Sequence, residues 1–162
     1  MFGCQCIIYI HRDVSAGRQA AMEAYAARVI RIKGNYDESV RQAAIDAEKY
    51  GRSIISNTSY QGYTKVPANV ALGYTVMLSE AVEQLNGVIP THVFIQAGVG
   101  GLAAAVCGYF WDLWAEQRPR FVVVEPEAAN CLQESAKAGE IKVVEGDLDT
   151  LMAGLACGEV SH

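Results

Sequence analysis

The stretch Gln96-Ala97-Gly98-Val99-Gly100-Gly101-Leu102-Ala103-Ala104-Ala105 passes from an apolar run through glycines directly into a helix-like run. The residues leading into it, His92-Val93-Phe94-Ile95-Gln96-Ala97, read as a buried strand. A backbone that turns sharply over so few residues needs conformations that side chains disfavour and glycine supplies. A strand handed straight to a helix in this way points to a parallel α/β fold, in which ligands gather at the carboxyl ends of the strands. At such a junction several backbone N–H groups converge, and the positive end of the helix dipole adds to them. An anion such as phosphate is stabilised there. The same residues also suit a tight, closely packed turn that holds no ligand. The segment is not a P-loop, because no Lys-Ser/Thr pair follows the last glycine. Nor is it the dinucleotide fingerprint, because Ala103 and Ala104 stand where the third glycine belongs.

The remainder of the chain alternates in the same sense. Cys4 to Ile10 is a short apolar run that reads as a buried strand, and Ser15 caps a helix expected to reach about Arg28. Arg28-Val29-Ile30-Arg31-Ile32 alternates as a strand. Asn35 or Asp37 caps the next helix, with Val40, Ala43, Ala44, Ala47 and Tyr50 at helical spacing and Gly51 as its stop. Ser53 to Ser56 is expected as a third strand, followed by the polar, turn-prone stretch Asn57 to Lys65. Pro67 suits the first turn of a helix whose stripe is Val70, Tyr74, Met77, Leu78, Ala81, Val82 and Leu85, ended by Asn86-Gly87. After the glycine junction come a helix from Leu102 to about Glu116, a strand Phe121 to Glu125 ended by Pro126, and a helix Glu127 to Ala138 stopped by Gly139. Nearly continuous apolar strands in repeated β–α–β order predict an α/β fold, a parallel β-sheet with helices on both faces. The turn-prone stretch divides it into a small-lobe portion, 1–60, and a large-lobe portion, 61–162, that carries the glycine junction.

Composition narrows the function classes. The chain has 162 residues, 51% of them apolar and 19% charged, enough to bury a core of one domain or one with a small second lobe. The net charge of −5 argues against a nucleic-acid footprint. No apolar run approaches the roughly 20 residues of a membrane span. The opening Met1-Phe2-Gly3-Cys4 has no basic region or small-residue cleavage site, so a cytoplasmic protein without a signal peptide is expected. Cys4, Cys6, Cys107, Cys131 and Cys157 are odd in number and lie mostly in apolar runs, which predicts buried thiols without disulfides. His11, His92 and His162 are scattered, and no metal site is expected.

Two other strand ends carry polar residues. Asn57 to Lys65 offers amide, hydroxyl, phenol and amine groups, which suit either a polar ligand or a solvated connection. Lys65 can form a Schiff base only if it is buried with a depressed pKa. Glu125 closes a strand and reads either as a ligand contact or as an anion at a helix amino end.

Together with the glycine junction, four segments carry a resemblance: Asn35-Tyr36-Asp37-Glu38, Gly62-Tyr63-Thr64-Lys65-Val66-Pro67, Val123-Val124-Glu125-Pro126 and Thr150-Leu151-Met152-Ala153-Gly154-Leu155-Ala156-Cys157-Gly158-Glu159. From about Phe2 to Glu159 the chain resembles the central fragment of the diaminopropionate ammonia-lyase family. These are pyridoxal-phosphate (PLP) enzymes of fold type II, the tryptophan-synthase β and threonine-dehydratase type. The run Met152 to Glu159 is the more specific part, and the glycine loop is shared across the fold type. The resemblance implies PLP as cofactor, with Gly98, Val99, Gly100, Gly101 and Leu102 cradling its phosphate. The implied reaction releases ammonia from 2,3-diaminopropionate, giving pyruvate and a second ammonia. The family's Schiff-base lysine and its Asp-Gly-Asn-His loop belong to an upstream segment outside these 162 residues, as do the C-terminal strands that meet the pyridine nitrogen. In the family's Asp-Thr-x-Trp-Glu-Gly-Tyr stretch, Asn57 stands for the Asp, and Tyr60 and Gln61 for the Trp and Glu. The resemblance therefore implies a chain with no catalytic residue of its own, inactive alone and holding PLP non-covalently. The alternatives are a non-catalytic phosphate- or PLP-binding module and an oligomeric remnant protein, with a small-molecule phosphate or an amino acid as the partner class and neither nucleic acid nor membrane. A homodimer is the expected assembly, because a partial sheet leaves edges and apolar faces to cover.

Overall fold

The computed structural model describes residues 3–162. In order, its elements are β1 (Ile7–Ile10), α1 (Ala16–Glu23), β2 (Arg28–Arg31), α2 (Tyr36–Tyr50), α3 (Lys65–Gln84), β3 (His92–Gln96), α4 (Gly101–Trp114), β4 (Arg120–Val124) and α5 (Cys131–Ala138). Short 3-10 turns occur at Ala115–Gln117, Glu127–Ala129 and Ala153–Leu155. The architecture is α/β with parallel strands, and the chain divides into two compact units, Met1–Ile54 and Ile55–His162.

In the first unit β1 and β2 pair in parallel, from Ile7 opposite Arg28 to Ile10 opposite Arg31. Ser15 caps α1, its Oγ accepting from the Arg18 N–H at 3.3 Å. The helix stops at Glu23, short of the expected Arg28, because Arg28 is already in the sheet and donates its N–H to the Cys6 carbonyl at 2.9 Å. Asn35, not Asp37, caps α2. Its Oδ1 accepts from the Glu38 N–H at 3.1 Å while Glu38 Oε2 accepts from the Asn35 N–H at 2.8 Å, a reciprocal capping box. Gly51 ends the helix in the left-handed conformation at φ +63°. Tyr9 of β1 donates its hydroxyl to Asp46 Oδ2 of α2 at 2.5 Å, and Arg52 donates to the Tyr9 oxygen at 3.3 Å. That hydrogen bond holds the Asp46 carboxyl below its usual value, and burial pushes the Tyr9 phenol up.

Two expectations fail here for the same reason. β1 begins only at Ile7, so Cys4 and Cys6 lie ahead of it and are exposed, not buried. Ser53 to Ser56 is extended but forms no strand. Extended residues become a strand only through a ladder to a neighbour, and residues 53–56 carry no strand assignment; Ile55 is 77% exposed.

In the second unit β3 and β4 pair in parallel from His92 opposite Arg120 to Gln96 opposite Val124, and Ala97 extends the ladder by donating to the Val124 carbonyl at 3.0 Å. Along β3 the side chains alternate. Val93 and Ile95 pack on the core of Leu78, Val106 and Phe110, while Phe94 is 69% exposed. Burying each of those three core side chains contributes roughly 1.5–3 kcal/mol. Leu78 and Val82 bring the α3 stripe onto that core, whereas Met77 from the same stripe is exposed. α3 starts two residues ahead of Pro67, whose missing N–H is harmless within the first turn. α4 ends at Trp114, where Ala115 takes φ +44°, and Glu127 to Ala138 is a 3-10 turn and α5 separated by Asn130. The five cysteines are thiols, with Cys131 and Cys157 buried and Cys107 half-buried. Among the described residues no helix is long and apolar enough to cross a membrane, and no three His, Cys, Asp or Glu side chains are grouped to hold a metal.

Candidate functional site at the amino end of α4

Between β3 and α4 each of three glycines answers a different demand. A Cβ on Gly98 would lie 3.0 Å from Cys157 Sγ, and Cys131 Sγ donates to the Gly98 carbonyl at 3.5 Å. Gly100 has φ +95°, and a Cβ there would meet Leu132 Cδ2 at 2.9 Å. A Cβ on Gly101 would lie 3.1 Å from the Asn57 carbonyl oxygen. The first helical bond of α4 runs from the Ala104 N–H to the Gly100 carbonyl at 2.9 Å, and no side chain caps this end. The N–H groups of Gly101, Leu102 and Ala103 thus have no acceptor within the helix. They sit at the positive end of its dipole.

A cavity of about 680 Å³ opens beside this helix end. Val99, Gly100 and Gly101 line it; Gly98 and Leu102 do not. Gly98 is covered by Cys157 and Leu155, and the Leu102 side chain packs toward the core. Asn57, Ser59 and Thr64 line it too, so the polar stretch after Ile55 belongs to the cavity wall. Asn57 Nδ2 donates to the Tyr74 hydroxyl at 3.1 Å. Tyr63 accepts at its hydroxyl from the Ser56 N–H at 3.0 Å and stacks on Tyr60 at 4.9 Å, and burial raises the Tyr60 phenol. Lys65 is exposed at the start of α3, and no lysine is among the lining residues.

Glu125 is resolved as the anion of a helix amino end. Its Oε1 accepts from the Leu132 N–H at 2.9 Å and its Oε2 from the Gln133 N–H at 2.8 Å. It fixes the first turn of α5 and, through Leu132, the wall against Gly100. Sequence reasoning missed Tyr74, Ser135 and the segment Val160-Ser161-His162 as lining residues. Tyr74 carried the one available signal, as a polar tip within the α3 stripe.

Residues 1–162 match the family model described as "Pyridoxal-phosphate dependent enzyme". The chain belongs to this family. It is 40% identical over 159 residues to diaminopropionate ammonia-lyase of Escherichia coli K12, an alignment covering 97% of this chain and 40% of the relative. The holo crystal structure of the diaminopropionate ammonia lyase from Escherichia coli superposes with a TM-score of 0.89 at 38% identity, covering 98% of this chain and 40% of that one. Threonine deaminase isoform 2 of Solanum lycopersicum superposes at 0.77 with 25% identity, covering 98% and 43%. The family's fold is thus the fold type II of PLP enzymes, and the chain spans about 40% of the length of the ammonia-lyase relatives it matches.

The site fits one part of the family's cofactor. A phosphate suits a floor without Cβ atoms, an uncapped helix end and a cavity of this size. The cofactor's aldehyde has no amine among the lining residues.

Proposed function

We propose that these residues form the cofactor-phosphate seat of a PLP-dependent lyase that eliminates ammonia from 2,3-diaminopropionate. The 162-residue chain by itself holds PLP through the phosphate alone and does not turn substrate over. The observation that carries this reading is the set of uncapped N–H groups at the amino end of α4 beside a glycine-floored cavity. The similarity to diaminopropionate ammonia-lyases supports the substrate class.

In this reading the N–H groups of Gly100 and Gly101, which line the cavity, donate to phosphate oxygens, and the α4 dipole favours the dianion. Val99 and Gly98 keep the turn tight enough for those donors to converge. When bound, PLP supplies the electron-withdrawing ring that elimination requires. Asn57 orients and takes no proton, because a neutral amide is no base near pH 7 and its Nδ2 is committed to Tyr74. Calorimetric titration with PLP, with inorganic phosphate as competitor, tests the seat. Binding that phosphate displaces is expected; absence of heat refutes it. Borohydride reduction of the mixture followed by mass measurement is expected to add no pyridoxyl group, and pyruvate is not expected from 2,3-diaminopropionate.

Exposed apolar side chains support a second statement, that copies of the chain associate. Phe94 is 69% exposed, Leu72 67% and Val76 61%, apolar surface that a second copy would cover. Sedimentation is expected to show an oligomer, and a clean monomer at high concentration contradicts it.

A further inference from the structure

Three segments distant in sequence are fastened together beside the glycine turn. The Ser161 N–H donates to the Val99 carbonyl at 2.7 Å. Ser161 Oγ accepts from the Ser59 N–H at 2.8 Å and shares a second hydrogen bond with Ser59 Oγ at 2.9 Å. Ser59 Oγ also donates to the His162 carbonyl, and the His162 N–H returns a bond to the Ser59 carbonyl at 3.2 Å. Ser59 is only 6% exposed, so water competes little for these bonds. The pair spans 102 positions of sequence, and its members line the same cavity as Val99 and Gly100.

The bond to Val99 has a directional consequence. The Val99 carbonyl and the Gly100 N–H belong to one planar trans peptide unit and point opposite ways. Fixing the carbonyl on Ser161 therefore fixes the Gly100 N–H. The glycine at φ +95° leaves this unit easier to rotate than any neighbour with a side chain. An anion seat made only of main-chain donors works only if those donors are already turned the right way.

We infer that Ser161, held in place by Ser59, is a positioning residue that keeps the Val99–Gly100 peptide in the orientation that presents the Gly100 N–H to an anion. This rests on the phosphate seat proposed above and adds to it a device outside the glycine loop. The Ser161→Ala variant retains its own N–H but loses both hydroxyl links to Ser59, so it tests whether the clasp acts through the pair. Losing the net value of one such bond corresponds to an affinity drop of about 2- to 10-fold.

The experiment is titration of the full chain with inorganic phosphate, in wild type, Ser59→Ala, Ser161→Ala, the double variant and Ser161→Thr. In parallel, the ¹⁵N-amide resonance of Gly100 is recorded without ligand. Each alanine variant is expected to bind phosphate about 2- to 10-fold more weakly, the double variant more weakly than either but by less than the product of the two single losses, because they share the Ser59 Oγ–Ser161 Oγ bond, and Ser161→Thr within about twofold of wild type. The Gly100 amide is expected to shift in Ser161→Ala and stay in place in Ser161→Thr. If wild type and both alanine variants bind phosphate equally well, the clasp is refuted while the seat stands. If wild type itself fails to bind phosphate or PLP, the seat is refuted and the clasp falls with it. An alanine variant that loses folded structure is replaced by Ser161→Thr and the other single variant. A Gly100 amide unmoved in every folded alanine variant overturns the inference.

Discussion

Replacing Gly100 with alanine tests the turn most sharply, because geometry and packing both oppose it there. A side chain at φ +95° costs about 1–2 kcal/mol in backbone strain. The new Cβ would meet Leu132 Cδ2 at 2.9 Å, and Leu132 can yield only by leaving its rotamer, at about 0.5–1.5 kcal/mol. Alanine recovers about 0.4–1 kcal/mol by restricting the unfolded chain. The net loss is about 1–2.5 kcal/mol. Gly108 supplies the control. It lies on the same helix, and a Cβ there meets nothing within 4 Å, so Gly108→Ala is expected to stabilise by about 0.5–1 kcal/mol. At roughly 2–4 °C per kcal/mol for a chain of this size, the two variants are expected to melt roughly 3–14 °C apart. Thermal unfolding followed by circular dichroism reads the difference, and phosphate titration should show binding lost in Gly100→Ala alone. A Gly100→Ala protein that melts as high as Gly108→Ala refutes the reasoning.

Glu125→Ala removes the acceptor for two amides of α5 and is expected to cost about 1–2 kcal/mol in urea unfolding; an unchanged midpoint contradicts the capping role. Tyr9→Phe is expected to raise the Asp46 pKa toward its ordinary 3.8. Because the folded value is depressed, the stabilisation is present above the ordinary pKa and vanishes as pH falls through the folded one. The stability gap between wild type and Tyr9→Phe should therefore close on acidification, and a gap unchanged between neutral and strongly acid pH counts against the pair. In the native protein Cys4 and Cys6 are expected to react quickly with Ellman's reagent, whereas Cys131 and Cys157 react only on unfolding. Rapid modification of all five thiols contradicts the packing around Gly98.

What the sequence made legible was local. Ser15, Asn35, Gly51 and Gly139 cap their helices because capping depends on a residue and its neighbours within one turn. The strand–glycine–helix junction was readable for the same reason. Features that depend on distant partners were not. Ser53 to Ser56 has the composition of a strand but carries no strand assignment, and Cys4 and Cys6 have strand spacing but stand outside the paired register. Glu125 could be a ligand contact or a cap until the amides of Leu132 and Gln133 were placed before it. Ser59 and Ser161 are ordinary serines in the sequence, and only the fold brings them together across 102 positions.

The central claim is that main-chain donors at the amino end of α4 seat the cofactor's phosphate without a covalent anchor. The most direct measurement is a titration of the ¹⁵N-labelled chain with PLP, read at each backbone amide and followed by borohydride reduction and mass determination. The account predicts that the amides of Gly100 and Gly101 move together and saturate, with no added mass on any lysine. Amides that stay still while PLP binds elsewhere, or a stoichiometric pyridoxyl adduct, contradict it.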